Sequence, residues 1–560
     1  MPDGGAGRSD RKRWRALRWL RRASQAAFLG LFLALIAATA ALTGAGFDAA
    51  SSARVRWPVE AFLDIDPLAG AVVLLATGTV AGAMIFGLVT LASAALLGRA
   101  FCGWACPLGA LNQLVSEIRP FARGKRRIAS NATKPYQKAK YVILAAVLGA
   151  ALLGSAAGGV LDPLSLVTRG VSLVLLPWIE WALGGVMDAA SGSHVAGVQR
   201  LADNAYRATG SLLAGRGLIY GGGFAIGVLF VAILAVNRWV PRFWCRGLCP
   251  LGAMLGASGR FGMLLLDKDA ERCDQCGLCQ MACQGAASPR PGERWQRAEC
   301  DLCMNCVAAC PHGAIAFRLA GRTTDEQPLP DLGRRAVLAG AAAGVALVPA
   351  MRAGALGSGL GRPDPACIRP PGSRDEDEFL SRCIRCGQCM KICPRNALHP
   401  ALDEAGVEGL WTPVLVPRIG YCEPTCTLCT QVCPTGAIRT ITENEKLGRS
   451  GASMVRIGTA FIDQGRCLPW AMGTPCMVCE EFCPTSPKAV WTREEEVDVR
   501  DLKVKVRRPY VDPAACNGCG ACEFACPVYD RAAIRVTAAG ESRAPGHELL
   551  LRPASPKRPK

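Results

Sequence analysis

Cys273-Asp274-Gln275-Cys276-Gly277-Leu278-Cys279-Gln280-Met281-Ala282-Cys283, followed by Cys300-Asp301-Leu302-Cys303-Met304-Asn305-Cys306-Val307-Ala308-Ala309-Cys310-Pro311, carries the spacing C-x2-C-x2-C-x3-C twice. Three thiolates on so short a loop can hold three irons of a cubane, and the fourth, one helical turn on, is aimed at the other cluster of a pair. The spacing therefore predicts two [4Fe-4S] clusters, with ligand sets Cys273, Cys276, Cys279, Cys310 and Cys300, Cys303, Cys306, Cys283. Gln284 stands where a proline usually follows the fourth cysteine. That proline shapes the turn and ligates nothing, so the cluster is expected to survive its loss.

Four more groups lie downstream: Cys383, Cys386, Cys389, Cys393; Cys422, Cys426, Cys429, Cys433; Cys467, Cys476, Cys479, Cys483; and Cys516, Cys519, Cys522, Cys526. Pro394, Pro434, Pro484 and Pro527 follow them. The outer two groups are regularly spaced and the inner two are stretched at their first gap, which suggests that the outer groups exchange fourth ligands, as do the inner. Short β-like pieces at 314–319, 437–441, 459–463 and 533–537 flank the groups, so each unit reads as strand, cysteine loop, helix, strand. The expected fold is ferredoxin-like α+β, with six [4Fe-4S] clusters in all and these cysteines as iron ligands. Zinc is the competing metal, but zinc sites combine two separated pairs and often recruit His. A catalytic C-x-x-C thiol pair normally comes singly.

The remaining sequence is membrane-like. Hydrophobic residues make up 51% and charged residues 19% of 560, against about 25% charged in a soluble chain. Apolar runs at 24–43, 67–97, 140–160 and 217–240 each reach or exceed the ~20 residues that cross a hydrocarbon core. The net charge of +19 is unevenly spread. Eight Lys/Arg crowd 8–22 and nine occupy 99–140, whereas 43–67 holds two basic and four acidic side chains and 161–217 four of each. This is the positive-inside alternation of an α-helical membrane bundle of four spans, with 161–217 outside and the apolar stretch 171–183 lying as an interfacial helix. Cations so distributed, without interleaved aromatic stacking groups, argue against nucleic acid as a partner. None of the four His lies in a long apolar segment and C-x-x-C-H is absent, so no haem is expected. Ser450-Gly451-Ala452-Ser453 lacks the context of a covalent flavin site, and no flavin is expected either.

Two further cysteine pairs are near copies: Phe101-Cys102-Gly103-Trp104-Ala105-Cys106-Pro107-Leu108-Gly109-Ala110 and Trp244-Cys245-Arg246-Gly247-Leu248-Cys249-Pro250-Leu251-Gly252-Ala253. Each follows the inner end of an expected span. Cys102, Cys106, Cys245 and Cys249 are therefore expected to meet at one site, as cluster or metal ligands, as a redox couple near quinol, or as inert buried thiols. Gly333-Arg334-Arg335-Ala336-Val337-Leu338-Ala339, before a short apolar stretch, reads as a twin-arginine export signal or anchor between the two cysteine blocks, with Ala353-Gly354-Ala355 as a potential cleavage site. The resulting division is a basic cytoplasmic N-terminus (1–23), a four-helix membrane domain (24–266), a two-cluster domain (267–320), a linker with the twin-arginine segment (321–360), a four-cluster domain (361–540) and a disordered tail (541–560). Cys367, Trp178, Trp181 and His194 receive no role.

Residues 1–320, through their spans, the two C-x3-C-P motifs, Asp162-Pro163-Leu164-Ser165-Leu166 and the two ferredoxin runs, resemble the NapH/MauN membrane quinol dehydrogenase component. Residues 330–540 resemble the NapG/MauM periplasmic ferredoxin-type protein in the twin arginines, the four cysteine groups and Arg466-Cys467-Leu468-Pro469-Trp470 leading to Cys476-Met477-Val478-Cys479-Glu480-Glu481-Phe482-Cys483-Pro484. The resemblance implies an inner-membrane protein with 267–320 in the cytoplasm and 361–560 in the periplasm. It would take quinol as substrate and pass electrons through [4Fe-4S] clusters to a periplasmic c-type cytochrome or terminal reductase of the nitrate-reductase type. An electron-donating maturation or regulatory factor for a periplasmic reductase or dehydrogenase is the alternative that the same relatives imply.

Overall fold

The computed structural model describes residues 6–44, 55, 58–80, 82–118, 121, 123–193, 195–209, 219–319, 326–353, 367–499 and 502–544. Nearly all of the expected tail, and the cleavage site beyond Ala353, lie outside the described residues. The chain forms two compact units, one of Met1–Ile36, Glu60–Gly170 and Ala225–Pro349, the other of Ala37–Val59, Val171–Phe224 and Ala350–Lys560.

In the first unit, helix formation follows a repeated signal, Asp-Pro-Leu. The Asp66 carboxylate accepts from the Leu68 and Ala69 amides (2.9 and 3.4 Å) with Pro67 in the first turn of Pro67–Thr77. Asp162 accepts from the Ser165 amide (2.6 Å) at the start of Pro163–Gly170. Proline suits this position because the first amides of a helix have no intrahelical partner. Pro67–Thr77 then stops on Gly78 in the left-handed conformation (φ 68°). The chain turns back through Gly82–Phe86 to begin Gly87–Leu97 beside Pro67, where a Cβ on Gly87 would lie 2.9 Å from the Pro67 Cα.

The four expected spans are thus only partly recovered. Among the described residues, three helices are long and apolar enough to cross a membrane: Arg13–Thr39, Pro163–Ser191 and Arg334–Arg352. The first corresponds to the expected 24–43 span. The 67–97 run is two helices rather than one, and the other two expected spans appear as Ala139–Leu152 and Gly223–Val236, of 14 residues each. The stretch 171–183, expected as an interfacial helix, belongs to Pro163–Ser191, which continues through a π-helical segment, Val171–Leu175, immediately before Pro177. A π turn accommodates the hydrogen bond that proline cannot make. Charge misled the reading here: Arg169, 1% exposed, donates to the Val160 carbonyl, and buried Glu180 meets Lys391 at 3.5 Å.

The first ferredoxin block pairs Leu264–Lys268 with Ile315–Leu319 in antiparallel register, Leu264 opposite Leu319. Leu265, Leu266, Trp295, Val307 and Ile315 pack around Cys279, Cys283, Cys306 and Cys310. The second block pairs Leu398–Pro400 with Pro413–Leu415 and Thr459–Ile462 with Ile534–Thr537. Of the expected β-like pieces, 437–441 forms only an isolated bridge, Ser373 to Ile438. A long hairpin, Val490–Val499 with Leu502–Val511, lies outside the expected β-like pieces. Glu376 locks the block's entry: Arg369 and Arg543 converge on it at 2.5 and 2.7 Å and hold its carboxyl down to about 2 against its burial.

Candidate iron–sulfur centres

Each regular cysteine loop curls through the same two left-handed residues. These are Gln275 and Gly277, Leu302 and Met304, Arg385 and Gly387, and Gly518 and Gly520, with φ between 50° and 87°. The conformation costs a non-glycine residue about 1–2 kcal/mol. Four of these eight positions are not glycine, so something must hold the loops curled. Alternation of left- and right-handed residues turns successive amides inward, forming a concavity suited to an anion. The stretched loops do without it: Thr427 and Met477, at φ of −123° and −127°, lie in ordinary space because the longer first gap relieves the curl.

Each loop gathers its thiols around one pocket. Cys273, Cys276, Cys279 and Cys310 line the first. Cys300, Cys303 and Cys306 each lie within electrostatic reach of Cys283. The exchange of fourth cysteines expected for the first block is the one the geometry brings together. In the second block the expected exchange is not. Three pockets are lined respectively by Cys422, Cys426, Cys429 with Cys393, by Cys467, Cys476, Cys479 with Cys526, and by Cys516, Cys519, Cys522 with Cys483. Cys433 completes the remaining set with Cys383, Cys386 and Cys389. Groups adjacent in sequence therefore exchange, first with second and third with fourth, and the outer-with-outer pairing is corrected. The reason is local closure. Each adjacent pair is a repeat of the first block, and the strand pair Thr459–Ile462 and Ile534–Thr537 brackets the third and fourth groups.

These cradles suit a multi-iron cage. Burial pushes the thiols of Cys279, Cys303 and Cys519 up to about 12. A thiolate is then costly unless a cation compensates it, which couples metal loading to deprotonation. Amides are ready to tune the sulfurs: Ala287 donates to Cys283 (3.3 Å), Ala397 to Cys393 (3.3 Å) and Ile438 to Cys433 (3.4 Å).

The two C-x3-C-P motifs also come together. Cys106 caps Pro107–Glu117 by accepting from the Gly109 amide (3.4 Å), and Cys249 caps Pro250–Ser258 by accepting from Gly252 (3.2 Å). Cys249 lies within electrostatic reach of Cys245, Cys102 and Cys106. Around them stand groups that sequence reasoning missed. Arg242 donates to the Cys102 carbonyl (3.3 Å) and pairs with Asp301 (2.5 Å). Arg99 pairs with Glu299 (3.5 Å), which Lys140 and Tyr141 also engage. Asn112 donates to Cys245 Sγ (3.5 Å) and accepts from Asn237 (2.7 Å). The signal was present for the arginines: each stands three residues before the first cysteine, extending the repeat to R-x2-C-x3-C-P-L-G-A.

Models described as 4Fe-4S binding domains match residues 79–128, 221–268, 270–286, 294–316, 379–399 and 507–528. The methylamine utilization ferredoxin-type protein MauM of Methylorubrum extorquens is 33% identical over 201 residues, which is 35% of this chain and 83% of that protein. The ferredoxin-type protein NapG of Escherichia coli is 37% identical over 170 residues, 30% of this chain and 69% of that protein. MauM of Paracoccus denitrificans is 34% identical over 180 residues, 31% and 72% of the two chains. No solved structure matches.

Proposed function

We propose, because this chain belongs to the MauM/NapG family of ferredoxin-type proteins and is accordingly an iron–sulfur electron-transfer protein, that it oxidises membrane quinol and passes the electrons through six [4Fe-4S] clusters to a periplasmic c-type cytochrome or terminal reductase. The ligands are the six four-cysteine sets described above. Residues 24–266 act as a NapH-like membrane part fused to the family's ferredoxin-type part. Quinol dissolves in the bilayer and gives up two electrons and two protons, whereas a cubane accepts one electron, so a series of cubanes divides the pair.

The observation that carries this reading is the company each cysteine block keeps. The basic loops, inner by charge distribution, bond to the first block: Arg246 reaches the Gln284 and Cys283 carbonyls (2.7 and 3.2 Å), and Asn131 donates to the Met281 carbonyl (2.8 Å). The segment 43–67, outer by charge distribution, bonds to the second block, where Gln388 donates to the Val59 carbonyl (3.2 Å); Lys391 of that block meets Glu180 within Pro163–Ser191, and the amide of Gly221, at the outer start of the 217–240 run, donates to His399 (3.0 Å). Both associations fit a first block in the cytoplasm and a second in the periplasm of an inner-membrane protein. External protease is accordingly expected to cut 367–544 in intact spheroplasts and to spare 267–319; protection of the second block would rule the arrangement out.

Anaerobic membranes carrying the protein are expected to lose their cluster absorbance rapidly when a reduced menaquinol analogue is added, to an extent set by the quinol supplied. Reduction by dithionite alone, with quinol inert, removes the quinol reading and leaves a maturation or regulatory electron donor as the function.

A further inference from the structure

We infer that Cys102, Cys106, Cys245 and Cys249 together hold one additional iron–sulfur centre, built across the two halves of the helical bundle. Each motif lies in a separate segment matched by a 4Fe-4S binding domain, yet each segment contributes only two cysteines. Neither can ligate a cluster alone. The fold supplies the missing half of each, since all four thiols are mutually within electrostatic reach.

The surroundings are those of an anion site. Two helices, Pro107–Glu117 and Pro250–Ser258, begin at Cys106 and Cys249 and aim their first amides at those sulfurs. Helix N-termini favour negative charge. Arg99 and Arg242, 4% and 2% exposed, flank the thiols, and fully buried Asn112 donates to Cys245 Sγ while Asn237 fixes its amide. Lys140, fully buried, brings the cations here to three against the two carboxylates Glu299 and Asp301, and neutral thiols would leave that excess uncompensated in a buried site. A cluster with four thiolate ligands is a net anion that compensates it. Glycine is required where the first copy tightens: a Cβ on Gly109 would lie 2.7 Å from the Cys102 carbonyl oxygen.

The centre adjoins the loop of the next one. Gly103 abuts the Asp301 backbone, Trp104 donates to the Leu302 carbonyl (3.1 Å), and Arg242 joins the Cys102 carbonyl to the Asp301 carboxylate. The centre takes one electron at a time and hands it to the cluster of Cys300, Cys303, Cys306 and Cys283, with no proton required. Its existence rests on the iron–sulfur reading; only its role as entry point rests on quinol oxidation.

The full chain, purified anaerobically in detergent and reconstituted to saturation with iron and sulfide, is expected to hold more iron than six cubanes account for. The double variant Cys106→Ser/Cys249→Ser is expected to lose roughly two to four irons and one spectroscopic component, with the others intact. Iron equal to six cubanes in the parent chain overturns the inference. Should the double variant fail to accumulate, Asn112→Leu decides: it is expected to keep the iron and lower the midpoint of a single component, and unchanged midpoints throughout overturn the inference. Dithionite is expected to reduce the other clusters in the double variant while quinol does not. If quinol fails in the parent chain as well, the quinol reading falls and the iron measurement still decides the centre.

Discussion

Replacing Cys526 by alanine is expected to dismantle the cluster of Cys467, Cys476 and Cys479 while leaving the cluster beside Cys526 in sequence, that of Cys516, Cys519 and Cys522, in place. Cys526 follows Ala521–Ala525, and its extended backbone turns the side chain out of its own loop. It lines the pocket of the third group, beside Pro527 and Val528. Cys483 likewise lines the pocket of the fourth group. Removing one of four thiolates leaves a cubane iron without its protein ligand, so the expected loss is about four irons or one converted cluster. Iron content alone does not identify which cluster is lost. Alkylation of the anaerobic protein followed by peptide mass analysis does, because thiols released from iron become reactive. Labelling is expected at Cys467, Cys476 and Cys479. Labelling at Cys383, Cys386 and Cys389 would instead restore the outer-with-outer exchange that the cysteine spacing alone suggests. Cys393→Ala is the matched control, with Cys422, Cys426 and Cys429 as the expected labelled set.

That experiment bears on what a sequence can and cannot disclose. The positions of the cysteine groups were legible because C-x2-C-x2-C-x3-C is local geometry, and even the left-handed residues within it recur at fixed offsets. In the first block the exchange was legible too, since only two groups are present to exchange. The second block offers three ways to pair four groups, and stretched spacing proved an unreliable guide. Strand pairing between Thr459–Ile462 and Ile534–Thr537, across some seventy residues, does what the spacing does not record. The helices failed for a related reason. Hydropathy measures composition along the chain, whereas Gly78 breaks one apolar run and the buried ion pair of Glu180 with Lys391 lets another helix continue through a charge. Around the C-x3-C-P motifs the arginines were legible as an extension of the repeat. Asn112 was not, because the corresponding residue of the second copy is Leu255 and no periodicity marks it.

Replacing Gly344 by leucine is expected to reduce accumulation of the full-length protein several-fold, and the outcome bears on whether the twin-arginine segment is a removable signal or a permanent part of the fold. Arg334–Arg352 is a 19-residue helix that lies against Ala139–Leu152 through small residues on both sides. A Cβ on Gly344 would overlap the Ala146 carbonyl, one on Gly340 would come within 2.7 Å of the Val142 carbonyl oxygen, and one on Gly149 would overlap the Ala341 carbonyl. Gly340 and Gly344 form a G-x3-G face, the arrangement by which apolar helices approach closely enough for dispersion and backbone contacts to hold them when no hydrophobic gain is on offer. The obstacles are carbonyl oxygens of the facing backbone, which cannot rotate aside as a side chain would. Forcing the helices apart costs about 1–3 kcal/mol by overpacking, enough to change steady-state abundance several-fold. Leu338, on the same helix but 69% exposed, serves as the control: Leu338→Ala is expected to accumulate normally. If this packing holds the segment in the fold, the two cysteine blocks are expected to migrate together as one undivided chain. Recovery of two stable fragments divided after residue 353, with Gly344→Leu accumulating as the parent does, would instead make the segment a spent export signal whose packing contributes nothing.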